Sequence, residues 1–192
     1  MRIITGLAKG CKLKTPKGQE TRPTADRIKE SLFNILAGDL YERDVLDIFA
    51  GTGNLGLEAL SRGACRAVFV DQSGESIKVI NENAVHTKLA DKTEIIRGDV
   101  FAAMQRLERA GRRFSLVFCD PPYNKELCQR ALSFLDASKL LLDGALVVME
   151  HARADDFNME FSTLKLLRNQ VYGATTQLSI FMRNPKEEEE SR

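Results

Sequence analysis

The sequence predicts an α/β domain. A mostly parallel, seven-stranded sheet carries helices on both faces, ends in a C-terminal antiparallel hairpin, and follows a small N-terminal β-hairpin and helix. Three observations predict it. Five short apolar runs, VLDIFA, AVFVD, TEIIR, FSLVFC and ALVVME, are nearly continuous rather than alternating, as strands covered on both faces are. Longer mixed segments of helical character separate them, and strand–helix alternation builds parallel sheets. After Glu150 the alternation stops, and two strand-like runs flank YGAT, a hairpin signal.

The elements follow in order. RIITG and CKLKT form a small hairpin around Lys9-Gly10. Thr24 then N-caps a helix to about Leu36, with Ile28, Leu32, Ile35 and Leu36 on one face. Strands are expected at Val45–Ala50, Ala67–Asp71, Thr93–Arg97, Phe114–Cys119 and Ala145–Glu150. Helices are expected at Leu55–Arg62, Gly74–Leu89, Val100–Ala110 and Lys125–Asp136; in the second, Ile77, Ile80, Ala84 and Val85 make the apolar stripe. Leu164–Val171 and Thr176–Met182 form the closing hairpin. The chain thus divides into a basic extension (1–43), the sheet domain (44–184) and a disordered acidic tail (185–192).

The 192 residues suit one domain of ordinary size, and 43% hydrophobic with 29% charged residues allows a sizeable core. The net charge of +1 names no polyanionic partner, but its distribution does. Met1 to Lys29 holds eight basic residues against two acidic ones, a surface fit to track phosphates. Four cysteines make no CxxC pair, and Cys65 and Cys119 sit in or beside apolar runs where buried thiols are common. No signal peptide or long apolar run is present, so the chain reads as reduced, soluble and cytoplasmic. His86 and His151 have no partner at ligand spacing, so no metal site is expected.

Function concentrates where strands end. In DIFAGTGNLGLEAL, Gly51, Gly53 and Gly56 match G-x-G-x-x-G between a strand and a helix, and Asp71 follows Gly51 by 20 residues. That pattern alone permits a nicotinamide or flavin oxidoreductase. Asp47 argues against it: a carboxylate inside the first strand is costly unless hydrogen-bonded or facing a cation. S-adenosylmethionine supplies an ammonium and a sulfonium; a pyrophosphate supplies neither. D-x-F-A-G-T-G resembles the first motif of class I S-adenosylmethionine-dependent methyltransferases, whose fold is Rossmann-like. Asp71 then resembles their ribose-binding acid, and Asp99 their acceptor for the adenine amino group, with a plain N-cap of the helix it precedes as the lesser reading of Asp99. Phe49, Ala50, Gln72 and Val100 flank these positions and complete the cofactor pocket that the resemblance implies. Phe101 reads as adenine packing or as core.

The fourth strand ends in Asp120-Pro121-Pro122-Tyr123. An exocyclic base amine is a poor nucleophile because its lone pair is delocalised into the ring. Two acceptors, the Asp120 carboxylate and the Pro121 carbonyl, can hold its two hydrogens and free that lone pair for a methyl group. The prolines stiffen the loop, and the Tyr123 ring offers a stacking surface worth ~1–3 kcal/mol per base. The stretch resembles the (D/N)PP(Y/F) motif of amino-methyltransferases.

MRIITG…KG.KL…RPT.DR..E.LFN.L, LDIFAGTGNLGLEALSRGA and DPPY together are similar to the small-subunit ribosomal RNA guanine-N2 methyltransferase family, methyltransferase D, over roughly Arg2 to Met182. Cys11 stands where that family usually has arginine, Asp71 where it commonly has glutamate, and Asn54-Leu55 where small residues are common. The resemblance implies methyl transfer from S-adenosylmethionine to a guanine N2, on RNA within a small-subunit assembly particle, by a monomer. Arg2, Lys9, Lys12, Arg22, Thr24 and Arg27 are the implied RNA contacts. The residues alone support methylation of an amino group. An adenine-N6 methyltransferase of DNA or RNA stays open, with a dinucleotide oxidoreductase and a non-catalytic RNA-binding assembly module behind it.

Overall fold

The computed structural model describes residues 1–15, 23–36, 40–122, 125–155 and 160–185. In chain order they form α1 (Pro23–Ile35), β1 (Asp44–Ile48), α2 (Asn54–Ser61), β2 (Arg66–Asp71), α3 (Gly74–His86), β3 (Thr93–Arg97), α4 (Val100–Arg109), β4 (Phe114–Cys119), α5 (Lys125–Ala137), β5 (Leu141–Ala152), β6 (Leu164–Tyr172) and β7 (Thr176–Arg183). The seven strands make one sheet in the order β3-β2-β1-β4-β5-β7-β6. Strands β1 to β5 pair in parallel, and β7 joins β5 and β6 antiparallel. This is the predicted class I, Rossmann-like architecture with its closing hairpin. Because β1 lies between β2 and β4, the strand order reverses there, and a crevice opens beyond the strands' carboxyl ends.

Successive side chains point to opposite faces of each strand, which sorts the core into two layers. Leu46, Ile48, Val117, Cys119, Val147 and Met149 face α4 and α5. Val45, Phe118, Val148, Leu178 and Ile180 face α1, α2, α3 and the N-terminal arm. Asp47, Asp120 and Glu150 each lie two residues beyond a member of this second set, so their alternation places them on that same face.

Several expectations shift. Strand β1 stops at Ile48 because Phe49 takes a left-handed φ of 59°, so Phe49 and Ala50 belong to the loop. Helix α1 starts at Pro23, so Thr24 is a helix residue and not its cap; a proline suits the first turn, where its missing N–H would have had no partner. The N-terminal hairpin is reduced to a single antiparallel bridge between Arg2 and Lys12, with Ile3 donating to the Cys11 carbonyl at 2.9 Å. Val85 is 69% exposed, and α3 instead buries Val79, Ile80, Asn83 and Ala84. Asn83 is drawn inward because its amide donates to the backbone carbonyls of Lys14 (3.1 Å) and Thr52 (3.0 Å). Cys65 is exposed, whereas Cys119 and Cys128 are buried, and all four cysteines are free.

The arm is tied down in part by one carboxylate. Glu58 of α2 is fully buried and accepts from the backbone N–H groups of Ile4 (2.8 Å) and Thr5 (3.1 Å). It also meets the ammonium of Lys29 at 3.1 Å and the guanidinium of Arg62 at 2.8 Å. Lys29 uses its remaining donors on the Arg2 carbonyl and on Asn54 Oδ1 at 2.7 Å. Gly6 lets the arm sit on the end of α2: a Cβ there would lie 1.8 Å from the Ser61 carbonyl oxygen. Arm, α1 and sheet thereby share one core. Lys29, counted among the basic residues of the extension, is buried and paired inside it.

Candidate active site

The glycine loop bends around Asp47. This residue is 2% exposed, and its Oδ2 accepts from the Gly56 N–H at 2.9 Å. Gly56 has to be glycine: a Cβ would stand 2.3 Å from the Phe69 ring and 3.1 Å from Asp47 Oδ2. Burial pushes the Asp47 carboxyl up to about 8, the Gly56 bond opposes this, and Asp71 adds to it. Asp71, at the end of β2, clasps the loop from outside. Its Oδ2 accepts from the Gly51 N–H at 2.9 Å and its Oδ1 from the Ser73 N–H at 2.8 Å. Each oxygen keeps a further lone pair for a hydroxyl. Space in front of Gly51 is open; a Cβ there would meet nothing nearer than the Phe49 carbonyl oxygen at 4.0 Å.

A crevice of about 450 Å³ runs over these groups. Asp47, Phe49, Ala50, Gly51 and Asp120 of the predicted set line it. Gly53 lies beneath, as the left-handed N-cap of α2 with φ 74°. Gln72 is exposed beside Asp71. Asp99 caps α4, accepting from the Ala102 N–H at 2.9 Å, which realises the capping reading; Val100 behind it is buried. Phe101 is buried, edge-on to Phe49 at 6.5 Å, and the Arg130 guanidinium lies 3.7 Å from its ring centroid. Pro121 is buried and Pro122 exposed; Tyr123 and Arg22 lie outside the described residues. Arg2, Lys9, Lys12 and Arg27 are exposed.

Among the lining residues not expected from sequence are Lys29 of α1, Met1, the Tyr172–Thr176 turn of the closing hairpin, and Glu150 of β5. The signal for Glu150 was present, since ALVVME ends on an acid just as FVD and FCD do. Asp120 is open to the crevice mouth yet ringed by protein. Its desolvation, together with Glu150 and Asp47, raises its carboxyl well above the ordinary range, and burial raises Glu150 too. Three carboxylates on adjacent strands therefore face one space. The lysine that lines it is committed to Glu58, which leaves the wall acidic. An ammonium and sulfonium ligand fits such a wall, and a pyrophosphate does not; the residues present fit S-adenosylmethionine. Among the described residues, no group of His, Cys, Asp or Glu could hold a metal ion, and no helix is long and apolar enough to cross a membrane.

Residues 1–181 match the family model described as conserved hypothetical protein 95. A Bacillus subtilis protein named putative rRNA methyltransferase YlbH is 34% identical over 91% of this chain and 95% of its own. The Escherichia coli ribosomal RNA small subunit methyltransferase D is 36% identical over 78% of this chain and 74% of its own. Among solved structures, the putative methyltransferase yhhF from Escherichia coli superposes with a TM-score of 0.84 at 33% identity, covering 96% of this chain and 98% of that one.

Proposed function

The chain belongs to the conserved hypothetical protein 95 family, the methyltransferase D family, and from that premise we propose that it methylates the exocyclic N2 of a guanine in small-subunit ribosomal RNA. The observation that carries this reading is the placement of Asp47 and Asp120 on one sheet face, across the strand reversal, in one crevice. S-adenosylmethionine, when bound, supplies an electrophilic methyl group on a sulfonium. Asp47 balances the ligand's positive charge. Gly51 leaves room for close backbone approach, and Asp71 offers acceptors to the ribose. Asp120 and the Pro121 carbonyl take the two hydrogens of the incoming amine and turn its lone pair toward the methyl position, so that the protein's share is mainly orientation. Tyr123 follows directly and supplies the stacking ring. A paired or stacked guanine has to be turned out of its helix to reach this depth.

Exposed Arg2, Lys9, Lys12 and Arg27 contact RNA phosphates, joined by Arg22 and Thr24. The substrate is an assembling small-subunit particle in the cytoplasm, and the enzyme acts as a monomer. Nucleoside mass spectrometry of ribosomal RNA, from cells with and without the gene, tests the reading. One N2-methylguanosine in small-subunit RNA should vanish with the gene. Loss of N6-methyladenosine instead would replace guanine with adenine; unchanged ribosomal RNA would remove this substrate altogether.

A further inference from the structure

Glu150 takes no part in the chemistry described so far, and its position is expensive for a merely structural residue. It follows Val148 on the inner face of β5 and pairs across to Leu178 of β7, both apolar. A leucine or valine would pack there without desolvating a charge. Glu150 instead lines the crevice, and no hydrogen bond or counter-ion from the described residues engages its carboxylate.

Its neighbour decides what it can do. β4 and β5 are parallel with Cys119 opposite Met149, so Asp120, the first residue beyond β4, and Glu150 of β5 both follow the last paired step, and both line the crevice. Two acceptors thus line one crevice at the ends of neighbouring strands. Guanine presents two adjacent donors along one edge, N1–H and the N2 amine. Adenine presents its N6 amine beside N1, which is an acceptor. Once guanine's donors take the place of the protons that burial favours on the free acids, a carboxylate pair matches the first edge with two charge-assisted bonds; against the second edge an ionised Glu150 meets a lone pair. Guanine's donors also relieve the repulsion between the two acids.

We propose that Glu150 is the residue that selects guanine, by accepting its N1–H while Asp120 receives the N2 amine. The inference rests on the base-methylation reading above and goes beyond it by assigning discrimination to one side chain. 2-Aminopurine separates the two claims, since it keeps the N2 amine but has an unprotonated N1. The probe is small-subunit RNA from cells lacking the gene, assembled by ligation with guanine or 2-aminopurine at the mapped nucleotide. Wild-type enzyme should methylate guanine about 10- to 100-fold faster than 2-aminopurine, the range for one charge-assisted hydrogen bond. In Glu150→Gln the amide both donates and accepts, so that ratio should fall to within about threefold of unity. Rates that drop equally on both bases, leaving the ratio unchanged, would overturn the assignment. 2-Aminopurine also lacks O6, so support comes from the collapse of the ratio in Glu150→Gln; if that variant does not fold, a wild-type ratio near one still overturns the assignment, because N1–H is then not read. Failure of the parent reading looks different: wild type then makes no N2-methylguanosine on the guanine substrate.

Discussion

At Asp120 the chemistry needs an acceptor more than a full charge. Burial and two neighbouring acids already favour its neutral form, and a neutral carbonyl still accepts a hydrogen bond. Asp120→Asn should therefore retain part of the turnover that Asp120→Ala loses, with cofactor affinity nearly intact in both. Single-turnover kinetics beside calorimetry checks this; an Asn variant as inactive as Ala would make the carboxylate an obligatory base. Asp47 makes a prediction about pH. Its carboxyl stands at about 8 in the folded chain against an ordinary 3.8, so between those values the folded protein holds a proton that the unfolded chain has released. Stability must then fall as pH rises from about 4 toward 8. Asp47→Asn removes that loss, and its gain over wild type should be largest near pH 8, on the order of 2–4 kcal/mol. Urea unfolding of the ligand-free protein at pH 5 and pH 8 measures it; a larger gain at pH 5 would contradict the burial argument.

Helix α1 and the arm are joined through the buried carboxylate of Glu58, with Ser61 and Asn83 bonding the arm beside it. Lys29 spends its donors on Glu58, Asn54 and the Arg2 carbonyl, and burial lowers its pKa despite the opposing pull of Glu58. Lys29→Met should cost ~1.5–3 kcal/mol, because it removes one of two cations from a buried carboxylate that Arg62 still pairs. Adding Glu58→Gln should cost less than the sum of the single changes; additive losses in denaturant would show that the two residues act independently. Nothing in the sequence revealed this linkage. Glu58 sits in α2 and Lys29 in a basic stretch, and a pairing 29 residues apart leaves no periodic trace. The strands were legible because both-face burial gives continuous apolar runs, and β3 and β4 fall on the residues expected for them. The end of β1 was not, since only backbone geometry at Phe49 turns an apolar residue out of the strand. In the site, the glycine loop, Asp47 and Asp120 were readable from motif spacing. Glu150 was overlooked because no motif contains it; its meaning comes from lying beside Asp120 on the next strand.

Across the whole molecule exposed cations are spread over the surface, the arm's Arg2, Lys9 and Lys12 among them, whereas acids end the strands in the crevice. Replacing Lys9, Lys12 and Arg27 by alanine should weaken RNA binding and flatten its salt dependence by up to ~3 units, at ~0.9 per phosphate contact on duplex-like RNA. An unchanged slope would assign these side chains to solvent. The acids also make the crevice a sieve. Where they are ionised, Asp47, Asp120 and Glu150 repel anything that arrives phosphate first, while the edge of a base carries only partial positive charge and is drawn inward. The ribose–phosphate chain is therefore held at the rim, and a single nucleobase crosses it. As pH rises past about 8 and Asp47 ionises, guanosine should gain over guanosine 5′-monophosphate as a competitor, the reverse of what the basic arm alone would favour, and an advantage of the monophosphate that persists at that pH would show that the acids do not govern entry.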